Sequence, residues 1–434
     1  MVGCLSRRLD RGSVPLRVIA TSFRSPRHAV RPPRLSAAHG SDAKSRRGRK
    51  RRRPAEVGPC LSGEAGLRLP RVKPEHAPYR LDGGRIRIGG EIYGLAHEIE
   101  DPYGWVWTAL EAMNGTRTCA DVNASLLSLH PELSRRDADA IVAQLLDSGH
   151  IEDMAADASG LSPRELDRYS RGHDFFRWAD VTPREHGWDA QLRLRAARVL
   201  VIGVGGAGSS AAQALAASGV GLLHLVDDDR VELSNLNRQL VYTEADIGRT
   251  KVSAAAERLR TLNSDIEVSG EAFRVRSERD LAGLLPGFDV VALCADEPRG
   301  DDGIRVWASR ACFAAGIPWV GGGYTGPLVT TGVFVPRRGA CYECMQRIED
   351  RRRGRPGDRG PGNAARPVDL GGPGAIATSA GMCGHLIAHG VIRLITEVPP
   401  VTAGFLHGVN LIAPEQAVFA EFPEGEAGCA VCAP

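Results

Sequence analysis

The chain has 434 residues, an apolar fraction of 43% and a formal net charge of +3, enough for two or three domains with a sizeable core. The small net charge hides an asymmetry: residues 1–53 hold sixteen Arg or Lys against Asp10 and Asp42, and this surplus of +14 leaves the remainder at −11. An acidic body argues against nucleic-acid binding by the folded part, no run of about 18 apolar residues offers a membrane-spanning helix, and the start of the chain lacks the apolar stretch of about 7–15 residues of a signal peptide.

Residues 1–70 are rich in Arg, Ser and Pro and include the run Ser45 to Arg53, Ser-Arg-Arg-Gly-Arg-Lys-Arg-Arg-Arg. Such a segment buries too little apolar surface to offset the entropy of ordering, so disorder is expected. Its readings are a solvated extension, a start site placed too far upstream, a targeting address or a nucleic-acid arm. From Tyr79 the pattern changes to short strands at Arg80-Leu81, Arg85 to Ile88 and Glu91 to Leu95, separated by Asp82-Gly83-Gly84 and Gly89-Gly90. This reads as an antiparallel meander. Three helices follow: Tyr103 to Met113, Cys119 to Leu129, and a third opened by Ser134 and closed at Ser148-Gly149. Val122, Leu126 and Leu129, then Ile141 and Leu145, supply the apolar stripes. Residues 71–153 are therefore expected to form a winged-helix-like β/α module, and 154–197 a polar helical connection.

From Arg198 to the end, apolar strands alternate with helical patterns, the signature of a doubly wound, mostly parallel α/β sheet. The strand Ala197 to Ile202 runs into Gly203-Val204-Gly205-Gly206-Ala207-Gly208 and a small-residue helix. Gly203 permits a tight turn, Gly205 lets backbone approach a phosphate, and Gly208 allows close helix–strand packing, so the helix N-terminus can receive anionic oxygen. The next strand ends in Asp227, nineteen residues after Gly208, where an acid can hold ribose hydroxyls.

A glycine fingerprint alone suits a nicotinamide-dependent oxidoreductase. The continuation favours a triphosphate instead: Asp227-Asp228-Asp229 leads through Ser234-Asn235-Leu236-Asn237-Arg238-Gln239 to Lys251, placing two cations beyond the ribose acid. Displacement at an α-phosphate needs its spreading charge neutralised. Only four Lys stand against 51 Arg, and Lys251 is the only one after Lys73, as expected where a compact ammonium is required. A third strand, Asp289 to Cys294, ends at Ala295-Asp296, so Asp296 reaches the same crevice, placed to hold Mg²⁺ or to cap the following helix.

Cys341-Tyr342-Glu343-Cys344 and Cys429-Ala430-Val431-Cys432 have the spacing of two zinc knuckles. Four Cys ligands leave no position for water, so the metal is read as structural. Ten Cys in a chain of this length are too few for a disulfide scaffold, which indicates a reducing, cytoplasmic setting.

Residues from about 166 to 432 resemble the ThiF/MoeB/HesA superfamily, bacterial relatives of ubiquitin-activating enzymes. The resemblance implies an ATP-dependent adenylyltransferase in which Gly203, Gly205, Gly206, Gly208, Asp227, Asp229, Asn235, Arg238, Gln239, Lys251 and Asp296 surround Mg-ATP. It also implies that Cys341, Cys344, Cys429 and Cys432 bind zinc. In Arg168-Tyr169-Ser170-Arg171, the family's Arg-Tyr-x-Arg motif, Arg171 would reach the ATP site of a second subunit, so a homodimer is implied. Some relatives carry a nucleophilic Cys in the loop after the first knuckle; Met345 to Ala375 contains none, and Cys383 reads as core, so the chemistry would stop at the adenylate.

Residues 71–153 resemble the PqqD-like peptide-recognition fold, with Met113 to Thr118 and Leu145 to Glu152 the matching stretches. That fold adds a leader peptide as a strand to its sheet, implying a part in the maturation of ribosomal peptides. A DNA-binding winged helix is the rival, but Asp137, Asp139 and Asp147 on the third helix would repel phosphate. A structural cap is a third reading. For the whole chain the expected substrate is a peptide or the C-terminus of a small carrier protein, as in thiamine or molybdopterin synthesis. The alternative is an inactive scaffold presenting leader peptides to a cyclodehydratase.

Overall fold

The computed structural model describes residues 18–19, 69–90, 95–156, 160–184, 186–296, 302–352, 374–415 and 417–432. They fall into two compact units, one holding residues up to 156 with 181–186, the other 160–180 and 187 onward. The expectation of disorder over 1–70 lies almost wholly outside the described residues.

In the first unit, β1 (Val18–Ile19), β3 (Tyr79–Leu81), β4 (Arg85–Ile88) and β5 (His97–Glu100) form an antiparallel sheet of order β1-β5-β4-β3, and β2 (Pro70–Val72) pairs with β6 (Ile151–Asp153). The third meander strand lies at His97–Glu100, beyond the expected Glu91 to Leu95, of which 91–94 are outside the described residues and Leu95 is in a turn. Gly89 and Gly90 both take positive φ, and a Cβ on Gly89 would lie 2.4 Å from the Leu95 carbonyl oxygen, so the chain turns here before His97-Glu98-Ile99-Glu100 restores strand alternation. Ile99 is buried, and Glu98 and Glu100 on either side are half-buried.

Helices α1 (Trp105–Ala112), α2 (Cys119–Leu129) and α3 (Arg135–Leu146) cover this sheet. Thr118 and Asp121 form a capping box at the start of α2, and the Ser134 hydroxyl accepts from the Asp137 amide at the start of α3. Val122, Leu126, Ile141 and Leu145 meet Ile86, Ile88 and Ile99 in the core. Leu129 is 67% exposed, so the apolar stripe of α2 stops one turn early.

Beside that core, His76 and His150 are buried and joined through their Nδ1 atoms at 2.8 Å, and His150 Nε2 meets His97 Nδ1 at 3.1 Å. Burial, and then the neighbouring His76, His97 and Lys73, push His150 down to about 3 from 6.5. A histidine held neutral in the fold contributes stability above its unfolded value, and that contribution is lost as pH falls from 6.5 towards 3. The melting temperature of the first unit should therefore fall between pH 7 and 5, with His150→Asn flattening the slope. Equal slopes for both proteins in differential scanning calorimetry would contradict this.

The helical connection expected over 154–197 is three short helices that open the second unit: α4 (Pro163–Arg168), α5 (Ser170–Ala179) and α6 (Asp189–Ala196). Ser162 and Glu165 form a capping box on α4, which ends at Tyr169, where the Tyr hydroxyl accepts a hydrogen bond from Asn263 Nδ2 at 2.9 Å. The alternating pattern that follows gives β7 (Arg198–Ile202), α7 (Gly206–Ala217), β8 (Leu222–Val226), α8 (Lys251–Leu262), β9 (Glu267–Glu271), α9 (Glu278–Leu284), β10 (Val290–Leu293) and α10 (Ile304–Ala315). Strands β11 (Trp319–Thr325) and β12 (Leu328–Phe334), helices α11 (Tyr342–Arg352) and α12 (Ala377–Thr396), and strands β13 (Gly404–Asn410) and β14 (Ala417–Phe422) complete it.

The eight strands make one sheet of order β14-β13-β12-β11-β10-β7-β8-β9. The five strands from β11 to β9 are mutually parallel, whereas β12, β13 and β14 extend the sheet antiparallel. Residues Val199–Ile202 and all of β10 are buried, as central strands covered on both faces require. Helices α7, α8 and α12 pack on one face, and α9 and α10 on the other. The strand order reverses between β7 and β10, and a crevice opens there at the carboxyl ends of the parallel strands.

Candidate nucleotide site and cysteine tetrad

The crevice is a cleft of about 450 Å³ at the reversal point, lined by the glycine loop after β7, Asp227–Asp229 after β8 and Cys294–Asp296 after β10. Gly203 has φ +85°, and a Cβ there would meet the Ala295 amide nitrogen at 2.7 Å. Gly208 is required for packing: its Cβ would lie 1.8 Å from the Gly203 carbonyl oxygen, so this residue sits behind the cleft. A Cβ on Gly205 would meet nothing closer than Gln239 Nε2 at 3.8 Å. The room above Gly205 is thus open, and α7 starts at Gly206 with no side-chain cap, leaving its first amides for an anionic ligand.

The Asp227 carboxylate braces this loop, accepting from the Val204 amide at 2.7 Å and the Asp229 amide at 2.9 Å. Burial raises its pKa, opposed by the ammonium of Lys251. Lys251 is itself buried, and its Nζ donates to Asp229 Oδ2 at 2.7 Å. Arg238 also lines the cleft, with Nη1 donating to the Ser234 carbonyl and to Asn237 Oδ1, each at 3.0 Å. Gln239 is only 2% exposed, lines the cleft, and its Oε1 has no hydrogen-bond partner. A buried amide oxygen in that state costs about 1–3 kcal/mol unless a ligand or water satisfies it. This orphan, the open space over Gly205 and the two cations fit a nucleotide polyphosphate, with Asp296 in the same cleft to hold its metal.

Cys341, at the start of α11, and Cys344 within it meet Cys429 and Cys432 from the end of the chain. All four sulfurs lie within 4.8 Å of one another, with Cys341–Cys429 at 3.6 Å and Cys344–Cys432 at 3.5 Å. A disulfide would need about 2.05 Å. Tetrahedral zinc with Zn–S of about 2.3 Å separates its sulfurs by about 3.8 Å, close to the spacing found. Burial raises Cys344, and against burial the hydrogen bonds from its neighbours lower Cys429, so the four thiols share one cluster whose spacing a metal would fit.

A ThiF family model matches residues 179–431, more than half of the chain. The chain belongs to the ThiF family. Its relatives include the adenylyltransferase and sulfurtransferase MOCS3 of Bos taurus, 38% identical over 234 residues that are 51% of this chain and 48% of that protein. The molybdopterin-synthase adenylyltransferase of Escherichia coli is 34% identical over 189 residues, 43% of this chain and 71% of that protein. The chain spans about half the length of the MOCS3 relatives. Among solved structures, E. coli MccB with ATP has a TM-score of 0.63 at 22% identity, over 84% of this chain and 99% of that one, and PaaA has 0.57 at 24% over 81% and 99%. These two establish likeness of fold; the share of this chain they cover exceeds the second unit alone.

Within this ThiF-family chain, Gly203, Gly205, Gly206, Asp227, Asp229, Arg238, Gln239, Lys251 and Asp296 converge on one cleft. Asn235 does not line it: its Oδ1 accepts the Glu232 amide at 3.1 Å and closes a turn, so it positions the loop bearing Arg238. Arg171 lies outside the cleft, on α5, with its side chain 95% exposed. Cys383 is fully buried and pushed up to about 12 by burial, which suits core and not a nucleophile. The sequence reading passed over Tyr324, Arg274 and Gly322-Gly323, which also line the cleft. Its available signal was a tyrosine after three glycines at the end of the last parallel strand.

Proposed function

We propose that this chain is an ATP-dependent adenylyltransferase that activates the C-terminus of a peptide or small carrier protein as its acyl-AMP. The observation that carries the reading is the convergence of Lys251, Arg238, the orphan amide oxygen of Gln239 and Asp296 on the cleft at the uncapped start of α7. In the reaction, a carboxylate oxygen bonds to the α-phosphorus, the bond to the β-phosphate oxygen breaks, and pyrophosphate carries away the electron pair. Lys251 and Arg238 would neutralise the charge that builds on the departing phosphates. Asp296 would hold Mg²⁺, and the four cysteines a structural zinc.

The substrate class is supported by the relatives, which include a molybdopterin-synthase adenylyltransferase, and by MccB, whose structures include complexes with ATP and with N-formylated MccA. The exposed Arg171 supports a second copy of the chain as the recipient of that side chain, so a homodimer belongs to the same reading; a monomer in analytical ultracentrifugation would contradict it. The first unit supports recognition of an extended peptide, because β3 is an end strand of its small sheet among the described residues, a place where a strand can add, and α3 bears Asp137 and Asp139 with Asp147 as its C-cap. A scaffold without catalysis has no need of a buried lysine beside a phosphate-sized opening.

Incubating the full chain with Mg-ATP and either a Gly-Gly-ending carrier or short peptides, followed by intact-mass measurement, should reveal one substrate that gains an AMP. A truncation beginning near Leu161 should bind that substrate at least about tenfold more weakly while binding ATP normally. Equal affinity in the two proteins would remove peptide recognition from the first unit. ADP in place of AMP would contradict the proposed chemistry.

A further inference from the structure

We infer that Tyr324 is a positioning residue whose hydroxyl holds the Arg238 guanidinium over the first turn of α7. The inference rests on the adenylylation reading of the cleft and adds a residue to it. Tyr324 lies near the end of β11, the outermost parallel strand, and its ring reaches across the cleft towards the glycine loop after β7. A Cβ on Gly206, the first residue of α7, would lie 2.8 Å from the Tyr324 hydroxyl and 3.6 Å from Arg238 Cγ. The phenol and the arginine therefore meet above one point, where the helix presents its unpaired amides.

The other ties of Arg238 run to Ser234 and Asn237, both within its own loop, and both use Nη1. Tyr324 comes from the sheet, and the nearby guanidinium of Arg238 offsets part of the rise that burial imposes on the phenol. An arginine held only by its own loop would keep rotamer freedom that must be lost when phosphate binds. A tie to the sheet removes that freedom beforehand. Gly206 is explained by the same contact, since any side chain there would drive the phenol away from the arginine.

Packing alone would make Tyr324→Phe nearly silent, because only the hydroxyl is removed. The test is a double-mutant cycle on the full-length protein, with Mg-ATP affinity measured by isothermal titration calorimetry for wild type, Tyr324→Phe, Arg238→Ala and the double variant. Tyr324→Phe should weaken binding about tenfold. The double variant should bind no more weakly than Arg238→Ala alone, because the hydroxyl has nothing left to position. Wild type that binds Mg-ATP, together with an unaffected Tyr324→Phe or with losses that add, overturns the inference and leaves the nucleotide site standing. Wild type that fails to bind Mg-ATP removes the nucleotide reading and this inference with it.

Discussion

Lys251→Ala should abolish adenylate formation, by a factor of at least about 100, while leaving the fold intact. Preorganised charge aimed at a departing group is worth about 10²–10³ in rate when a single donor is removed. Lys251 is suited to that role because it is buried, its stem packed at the start of α8 and its ammonium at the cleft wall. Its partner Asp229 is 60% exposed, so losing the ion pair strands no buried charge and should cost little stability. The larger consequence falls on Asp227, which burial already pushes towards its neutral form and which Lys251 restrains. Without the ammonium that carboxyl rises further, weakening the brace on the glycine loop. Lys251→Arg should not restore activity, since a planar fork does not fit a pocket built around a compact ammonium. Pyrophosphate exchange at the wild-type rate in Lys251→Ala would remove the phosphate role from this residue.

Loss of the metal should be the largest effect on stability. One zinc per chain is expected, and Cys341→Ser, or exhaustive chelation, should lower the melting temperature on the order of 10 °C. The tetrad joins two distant stretches: Cys341 and Cys344 follow β12, whereas Cys429 and Cys432 follow β14 at the far edge of the sheet. Cys341, Cys344 and Cys429 belong to the same core as Leu281, Ile304 and Trp307, so freeing the terminal segment also exposes the α10 face. Activity should fall together with folding and not before it, because the tetrad lies outside the cleft. Elemental analysis without zinc, or unchanged melting after its removal, would contradict a structural metal.

Local signals were the legible part of this molecule. The glycine loop could be read because its spacing follows directly on a strand and opens a helix, and the cysteine tetrad because each Cys pair declares its own spacing. Helices α2 and α3 were legible through Thr118 and Ser134, whose caps are written in four residues. The third strand of the small sheet was misplaced because Glu91 to Leu95 alternates as well as His97 to Glu100 does; the chain turn at Gly89-Gly90 decides between them. Asn235 shared a motif with Arg238 but spends its side chain on the turn. Tyr324 could not be placed beforehand, since its contact with Gly206 and Arg238 joins three parts of the chain that only the sheet order brings together. The antiparallel extension by β12, β13 and β14 was likewise hidden within a pattern read as mostly parallel.

Incorporation of radiolabelled pyrophosphate into ATP by the wild-type protein, in the presence of Mg²⁺ and a peptide or carrier C-terminus, tests the central claim most directly. Reversible attack at the α-phosphorus returns label to ATP, so label should appear there with the acyl substrate present and not without it. Cleavage of ATP to ADP and phosphate with no label in ATP would place the chemistry at the γ-phosphate and contradict an adenylyltransferase.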